Sequence, residues 1–317
     1  MRLNRRHVVA ALAGSLALPL LASLPALADT RRLRIGYQKY GTLVLLKGNG
    51  LLEKALQPLG YEVEWTEFPG GPQLLEALNV GAIDFGTTGE APPIFAQAAG
   101  APLVYVAYEP PAPRGEAILV PKDSPLQSVA ELKGRTIVLN KGSNVHYLLV
   151  KALEEAGVAY GDVATRFLPP ADARAAFEQG AADAWAIWDP FLAAAEVTIE
   201  ARQLRNGEGI VPNHQFYLAS RDFVSGHGEA LNALVAALGE IDTWAQANAL
   251  SAAEELAPSV GIPADILAIA IGRQSYGVKP LDAAVVAAQQ KIADTFHGLG
   301  LIPERISIAD VVRGPNS

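Results

Sequence analysis

Asp183-Ala184-Trp185-Ala186-Ile187-Trp188-Asp189-Pro190 reads as a strand that runs straight into a helix. Ala184 to Ile187 is a short apolar run of strand length. Asp189 suits a helix N-cap, because its carboxylate can accept the unpaired amides of a first turn. Pro190 suits the first helical position, which needs no amide donor. Trp188 sits at the switch, where a side chain can point into a crevice or into a core. Its indole offers a flat apolar wall and one N–H donor.

The same alternation extends outward from this stretch. Upstream, strands are expected at Leu33 to Tyr37, Tyr61 to Phe68, Ile83 to Thr87 and Pro102 to Tyr108. Helical spacing fills Thr42 to Leu56, Pro72 to Val80 and Pro92 to Ala99 between and after them. Glu109-Pro110-Pro111-Ala112-Pro113 interrupts the pattern, since its prolines hold the chain extended and unpaired. The alternation then restarts. Strands are expected at Ala117 to Val120, Thr136 to Leu139 and Ala164 to Phe167. Helices are expected near Val129 to Leu132, at Val145 to Ala156, at Ala171 to Gln179 and at Pro190 to Ala195. His214 to Ala219 reads as a strand returning to the first unit. Strands alternating with helices imply an α/β class with parallel sheets. Beyond Asp222 the pattern is helical, at Leu231 to Leu250, Ala252 to Val260, Ala264 to Gly272 and Ala283 to Leu299. The expected organisation is a two-lobed clamshell with two crossovers and C-terminal helices. Lobe one takes residues 29–113 and 220–317, and lobe two takes 114–219.

The first 28 residues read as an export leader. Arg2, Arg5 and Arg6 form a basic n-region, Val8 to Leu24 is apolar, and Ala26-Leu27-Ala28 is an A-x-A cleavage site. Arg5-Arg6 keeps the twin-arginine route open beside Sec. Removing the leader takes away three arginines and no acid, so the formal charge moves from −8 to −11. That balance argues against nucleic acid or an anionic membrane surface as partner. The chain has no cysteine, so it has neither a disulfide nor a thiol nucleophile.

In open parallel sheets ligands bind outside the carboxyl ends of the strands. Four segments reach that position: Tyr37-Gln38-Lys39, Thr87-Thr88-Gly89-Glu90, Asn140-Lys141-Gly142-Ser143-Asn144 and Trp188-Asp189. Helix N-termini that follow such segments attract anions through unpaired amides. Thr88, Ser143 and Asn144 add neutral donors, Gly89 and Gly142 permit close approach, and Gln38 and Trp188 can donate from opposite lobes. Each motif alone also reads as an ordinary cap or core residue. Lys39 and Lys141 read as solvated cations. His146 can face the crevice or the edge of a core. Their convergence favours a site for a small anion held without a salt bridge. No nucleophile elbow, zinc-binding H-E-x-x-H, phosphate loop or dinucleotide fingerprint is present, and the histidines lack metal-pair spacing. No catalytic residue, metal or cofactor is expected.

Several segments resemble the periplasmic aliphatic sulfonate-binding proteins. They are Gly36-Tyr37-Gln38-Lys39, Phe68-Pro69-Gly70-Gly71-Pro72-Gln73, Leu75 to Gly81, Pro92 to Gly100, Pro170 to Phe177 and Asp183 to Pro190. The resemblance runs from about Leu33 to about Ile308. It implies a type II periplasmic binding-protein fold and a receptor that delivers alkanesulfonates to an ABC permease for sulfur assimilation, working as a monomer. It implies contacts from Gln38, Thr88, Gly89, Ser143, Asn144, His146 and Trp188. The hydrocarbon tail would lie against Trp188 and Tyr217, and Asp189 would act as the helix cap that positions Trp188. The family often carries Ser-Thr-Gly-Asp in place of Thr87-Thr88-Gly89-Glu90 and a serine pair in place of Ser143-Asn144, and Arg114-Gly115-Glu116 differs from it in its small residue. Taurine, nitrate or a pyrimidine precursor on the same scaffold is the alternative ligand. A related sulfinate desulfinase uses a cysteine nucleophile, which this chain lacks.

Overall fold

The structure, a computed structural model, describes residues 31–39 and 41–314. The leader expected over residues 1–28 lies outside the described residues. Among the described residues, ten strands form two five-stranded sheets, each flanked by helices.

In chain order the first unit comprises β1 (Arg31–Tyr37), α1 (Thr42–Asn49), α2 (Leu51–Leu56), β2 (Tyr61–Glu67), α3 (Gly71–Asn79), β3 (Phe85–Gly89), α4 (Pro92–Ala98) and β4 (Leu103–Tyr108). Leu33 and Ile35 alternate into the core from β1, which pairs in parallel with β2 and β3. The single helix expected over Thr42 to Leu56 is two helices. Gly50 adopts φ 66°, a left-handed conformation that ends α1 and that only glycine takes without strain.

The second unit holds β5 (Glu116–Val120), β6 (Thr136–Leu139), α5 (Asn144–Glu155), β7 (Ala164–Phe167), α6 (Pro170–Glu178), β8 (Ala184–Trp188), α7 (Phe191–Thr198) and β9 (Arg202–Asn206). Its sheet has the order β7-β6-β8-β5-β9. β9 was not expected. Its Arg-Gln-Leu-Arg-Asn sequence carries no apolar alternation because it is an edge strand, half-buried throughout. The Arg202 guanidinium anchors it by donating to the backbone oxygens of Lys122, Ser124 and Leu126.

The chain then returns through β10 (Gln215–Ser220) and closes with α8 (Arg221–Gly226), α9 (Gly228–Ala247), α10 (Ala249–Val260), α11 (Ala264–Arg273) and α12 (Ala283–Gly298). β10 lies between β3 and β4, antiparallel to both, giving the first sheet the order β2-β1-β3-β10-β4. β5 is likewise antiparallel to β8 and β9. The sheets are therefore mixed rather than parallel. Each antiparallel strand enters directly from a crossing, so no helix turns it into the parallel direction. Because β10 belongs to the first sheet, strand membership puts the return before Gln215 rather than after Ala219. The two crossings hold each other: Ala112 N–H donates to Pro212 O at 3.0 Å, and Asn213 Nδ2 donates to Ala112 O at 2.9 Å.

One buried cluster fills the space between the first sheet and α1, α2, α9 and α10, with Leu33, Phe85, Tyr217 and Leu234 among its members. A second runs from α3 and α4 through the whole second unit to Phe296 of α12. Trp185 lies fully buried in it, 5.8 Å from the Phe177 ring. Asp282 starts α12 as a capping residue, accepting from Val285 N–H at 2.9 Å. Among the described residues no single helix is long and apolar enough to cross a membrane.

Candidate functional site

The carboxyl ends of the two sheets face each other, and a cavity of about 250 Å³ lies between them. Gln38, Lys39, Phe68 and Pro69 line it from the first sheet. Pro169, Pro170, Trp188 and Phe191 line it from the second. Two glycines lie where the lobes meet. A Cβ on Gly70 would stand 2.5 Å from Asn140 Nδ2 and 3.7 Å from the Trp188 ring, and one on Gly89 would stand 2.9 Å from Asn144 Cβ. Asn140 Nδ2 also reaches Gln73 Oε1 across the gap at 3.4 Å.

Trp188 ends β8 opposite Glu116 of β5. It is 4% exposed, its ring meets Phe191 edge-on at 6.4 Å, and it lines the cavity. Among the described residues its indole N–H has no acceptor. Asp189 follows as part of the turn into α7, which begins one residue later than expected, at Phe191. Its carboxylate still caps the helix, accepting from Ala193 N–H at 3.0 Å. Gln38 spends one amide proton on Thr87 O at 3.0 Å and keeps the other.

Thr88 and Gly89 belong to the end of β3 rather than to the loop after it. The Thr88 hydroxyl donates to Gly89 O at 2.9 Å, and the Ser143 hydroxyl donates to Asn140 O at 2.7 Å. A hydroxyl is a rotor, so both can turn toward an incoming acceptor. α4 offers less than expected, because Pro92 and Pro93 open it and carry no amide proton.

Three expected contacts point elsewhere. Asn144 commits its amide group to Glu116 Oε2 at 2.5 Å and Asn213 Oδ1 at 3.0 Å. His146 lies in an aromatic cluster, with its ring 6.2 Å from Phe95 and 5.7 Å from Phe296. Its Nδ1 accepts from Gly142 N–H at 3.2 Å, which leaves Nε2–H to donate to Tyr160 OH at 2.7 Å. Burial, with some help from Lys141, lowers its pKa to about 4, so it is neutral. Tyr217 stacks on Phe85 within the first core cluster and donates its hydroxyl to Glu109. It cannot also form the wall of the cleft.

Two glutamates lie behind the cleft; Glu90 belongs to a segment expected there, but neither is among the expected contacts. Glu90 accepts from His214 N–H at 3.1 Å, and Glu116 accepts from Asn144. Both are fully buried, and each keeps one oxygen without a partner. Burial pushes Glu90 up to about 8 and Glu116 well above the carboxylate range, the latter aided by Glu90. Both are therefore protonated near neutral pH and present no negative charge to an anion. The available signal was a charged residue at the end of the buried strand Phe85–Gly89. Among the described residues no group of three His, Cys, Asp or Glu could hold a metal ion.

Residues 59–248 match the family described as NMT1/THI5 like. A relative from Escherichia coli strain K12, named for aliphatic sulfonate binding, is 43% identical over 313 residues, covering 98% of this chain and 97% of its own. The chain belongs to the aliphatic sulfonate-binding family. The alkanesulfonate-binding protein SsuA from Xanthomonas axonopodis pv. citri, bound to MOPS, superposes with a TM-score of 0.86 at 43% identity, over 90% of this chain and 99% of its own. The periplasmic aliphatic sulphonate binding protein SsuA from Escherichia coli gives 0.81 at 44% identity, over 90% and 92%. Aliphatic sulfonate-binding relatives of this similarity carry the same two-lobed periplasmic binding-protein fold. Within this family member, Phe68, Trp188 and Phe191 make the cavity largely apolar, and the half-exposed Lys39 and Glu67 are its charged lining residues.

Proposed function

We propose that this chain is a solute-binding receptor that takes aliphatic sulfonates between its lobes and hands them to an ABC importer. The observation that carries the reading is the cavity between the sheets. Trp188 supplies both an apolar wall and an unspent N–H donor there. A sulfonate is permanently anionic with three acceptor oxygens, and its tail is apolar. Neutral donors to a charged acceptor contribute roughly 1.5–3 kcal/mol each. Gln38, Thr88, Ser143 and Trp188 are the proposed donors, with Gly89 giving room at the headgroup. Phe68 and Phe191 line the cavity beside Trp188 and take the place proposed for Tyr217 along the tail. Lobe two is taken as the unit carrying β5 to β9. Residues 1–28 are taken as an export leader, in keeping with a periplasmic site of action, and the receptor is taken as a monomer.

Calorimetry tests this. Short and long alkanesulfonates and MOPS should bind with a single site per chain, and sulfate and nitrate should bind at least tenfold more weakly. Equal binding of nitrate and alkanesulfonate would remove the tail from the reading.

A further inference from the structure

The hairpin of α10 and α11 holds both rims of the cleft. α10 ends at Val260, and the chain turns by 119° through Gly261 into α11. Val260 O accepts from Lys39 Nζ at 3.0 Å. At the far end of the hairpin, Arg273 Nη1 lies 3.4 Å from Asp189 Oδ1, and Nη2 lies 2.6 Å from Glu196 Oε2. Between these points Ile266 and Ala270 of α11 pack on Ala193 and Ala194 of α7 in a small apolar cluster of their own.

Lys39 is the neighbour of Gln38 on the first sheet, and Asp189 is the neighbour of Trp188 on the second. Neither Val260 nor Arg273 lines the cavity. We propose that the α10–α11 hairpin is a clasp that keeps the two cleft loops at their closed spacing, with Lys39 and Arg273 as positioning residues for Gln38 and Trp188. The proposal rests on the sulfonate-receptor reading for what the cleft holds.

The two holds differ in strength. The Asp189 carboxylate is fully buried, and its second oxygen has no partner. Arg273 is its counter-charge, and removing a counter-charge from a buried carboxylate leaves the turn under Trp188 unsupported. Lys39 is a half-exposed cation at a helix C-terminus, a weaker hold that salt screens. Loss of Arg273 should therefore matter more than loss of Lys39.

The test is stopped-flow tryptophan fluorescence with a short alkanesulfonate, together with solution X-ray scattering. Arg273→Gln should raise the dissociation rate and Kd about tenfold and enlarge the ligand-free radius of gyration. Lys39→Met should raise Kd about threefold, and the double variant should depart from the product of the two. Arg273→Lys should recover part of the loss. The change in emission caused by Arg273→Gln should vanish in a Trp188→Phe background. Wild-type kinetics and radius in Arg273→Gln would overturn the clasp. If Arg273→Gln fails to fold, Glu196→Gln removes the other end of the contact, and an unchanged dissociation rate there overturns it equally. A wild-type protein that binds no alkanesulfonate sinks the receptor reading alone, and the clasp is then decided by the radius of gyration.

Discussion

Trp185 and Trp188 stand three residues apart on one strand with opposite surroundings. Trp185 is fully buried against Phe177, and its indole N–H is buried with no partner. Trp188 lines the cavity with its N–H open. Trp185→Ala should destabilise the protein by about 3–5 kcal/mol, the range for emptying an aromatic core position. Trp185→Phe should cost far less, because it also removes the orphaned donor. Trp188→Ala also empties a buried position and should cost stability too, but it alone should weaken alkanesulfonate binding, by about 1–3 kcal/mol, ten- to over a hundredfold. Denaturant melts and calorimetry on the three variants separate the two roles. A Trp188→Ala protein that binds normally would take Trp188 out of the site.

At the scale of elements, the strand–helix alternation was legible because apolar runs of strand length stand between capped helices, as at Ala184 to Ile187. Direction was not legible. β5 and β10 read like their parallel neighbours, because strand polarity depends on how the crossings deliver the chain and leaves no mark on composition. The edge strand β9 was hidden by its arginines, whose partners lie on other elements. Of the expected contacts, Gln38 and Trp188 reach the cavity. His146 and Tyr217 do not, because a helix or strand position sets a side chain's face only once its neighbours are known. Phe95 and Phe296 claim His146 from two other helices, one of them 150 residues away. Gly70 shows what motif reading alone could not weigh. Its φ of −175° is ordinary extended backbone, so its value is space rather than flexibility. A methyl group there would meet Asn140 of the facing lobe at 2.5 Å. Gly70→Ala should therefore weaken ligand binding about tenfold, roughly 1.4 kcal/mol, by opposing closure. Its ligand-free melting temperature should stay unchanged. Asn140→Ala should restore binding in the double variant. A failed rescue would mean that the contact between the lobes is not what limits closure.

Across the whole molecule, the crossings gather acids that the fold keeps protonated. Glu109, at the first crossing, and Asp242 of α9 both lie 2.7 Å from the Thr42 hydroxyl. Tyr217 donates to the same Glu109 oxygen. One hydroxyl proton cannot serve two carboxylates, so one of the two acids carries a proton of its own. Burial, assisted by Asp242, pushes Glu109 up to about 8, matching Glu90 at about 8, and burial with the nearby Glu90 raises Glu116 well above the carboxylate range. Asp189, raised by burial only to about 7 against the pull of Arg273, ionises ahead of Glu90 and Glu109 and meets its counter-charge there. Above pH 5 the unfolded chain has released these protons while the folded chain still holds them. Stability contributed by such groups is complete below their unfolded pKa and is lost as pH rises through the folded values. His146, lowered to about 4, and His214, also lowered by burial, act in the opposite sense, and only below about pH 6.5. Between pH 6.5 and 8.5 the acids act alone, so the ligand-free melting temperature should fall steadily across that window. Each group still protonated in the fold contributes a slope of about 1.4 kcal/mol per pH unit. Glu116→Gln keeps a neutral side chain that can still accept from Asn144. It should make the fall shallower by one such slope and leave the variant more stable than the parent at pH 8.5. Thermal melts from pH 6 to 9 decide it: a melting temperature that stays level or rises toward pH 8.5 would mean that the crossings hold their carboxylates charged.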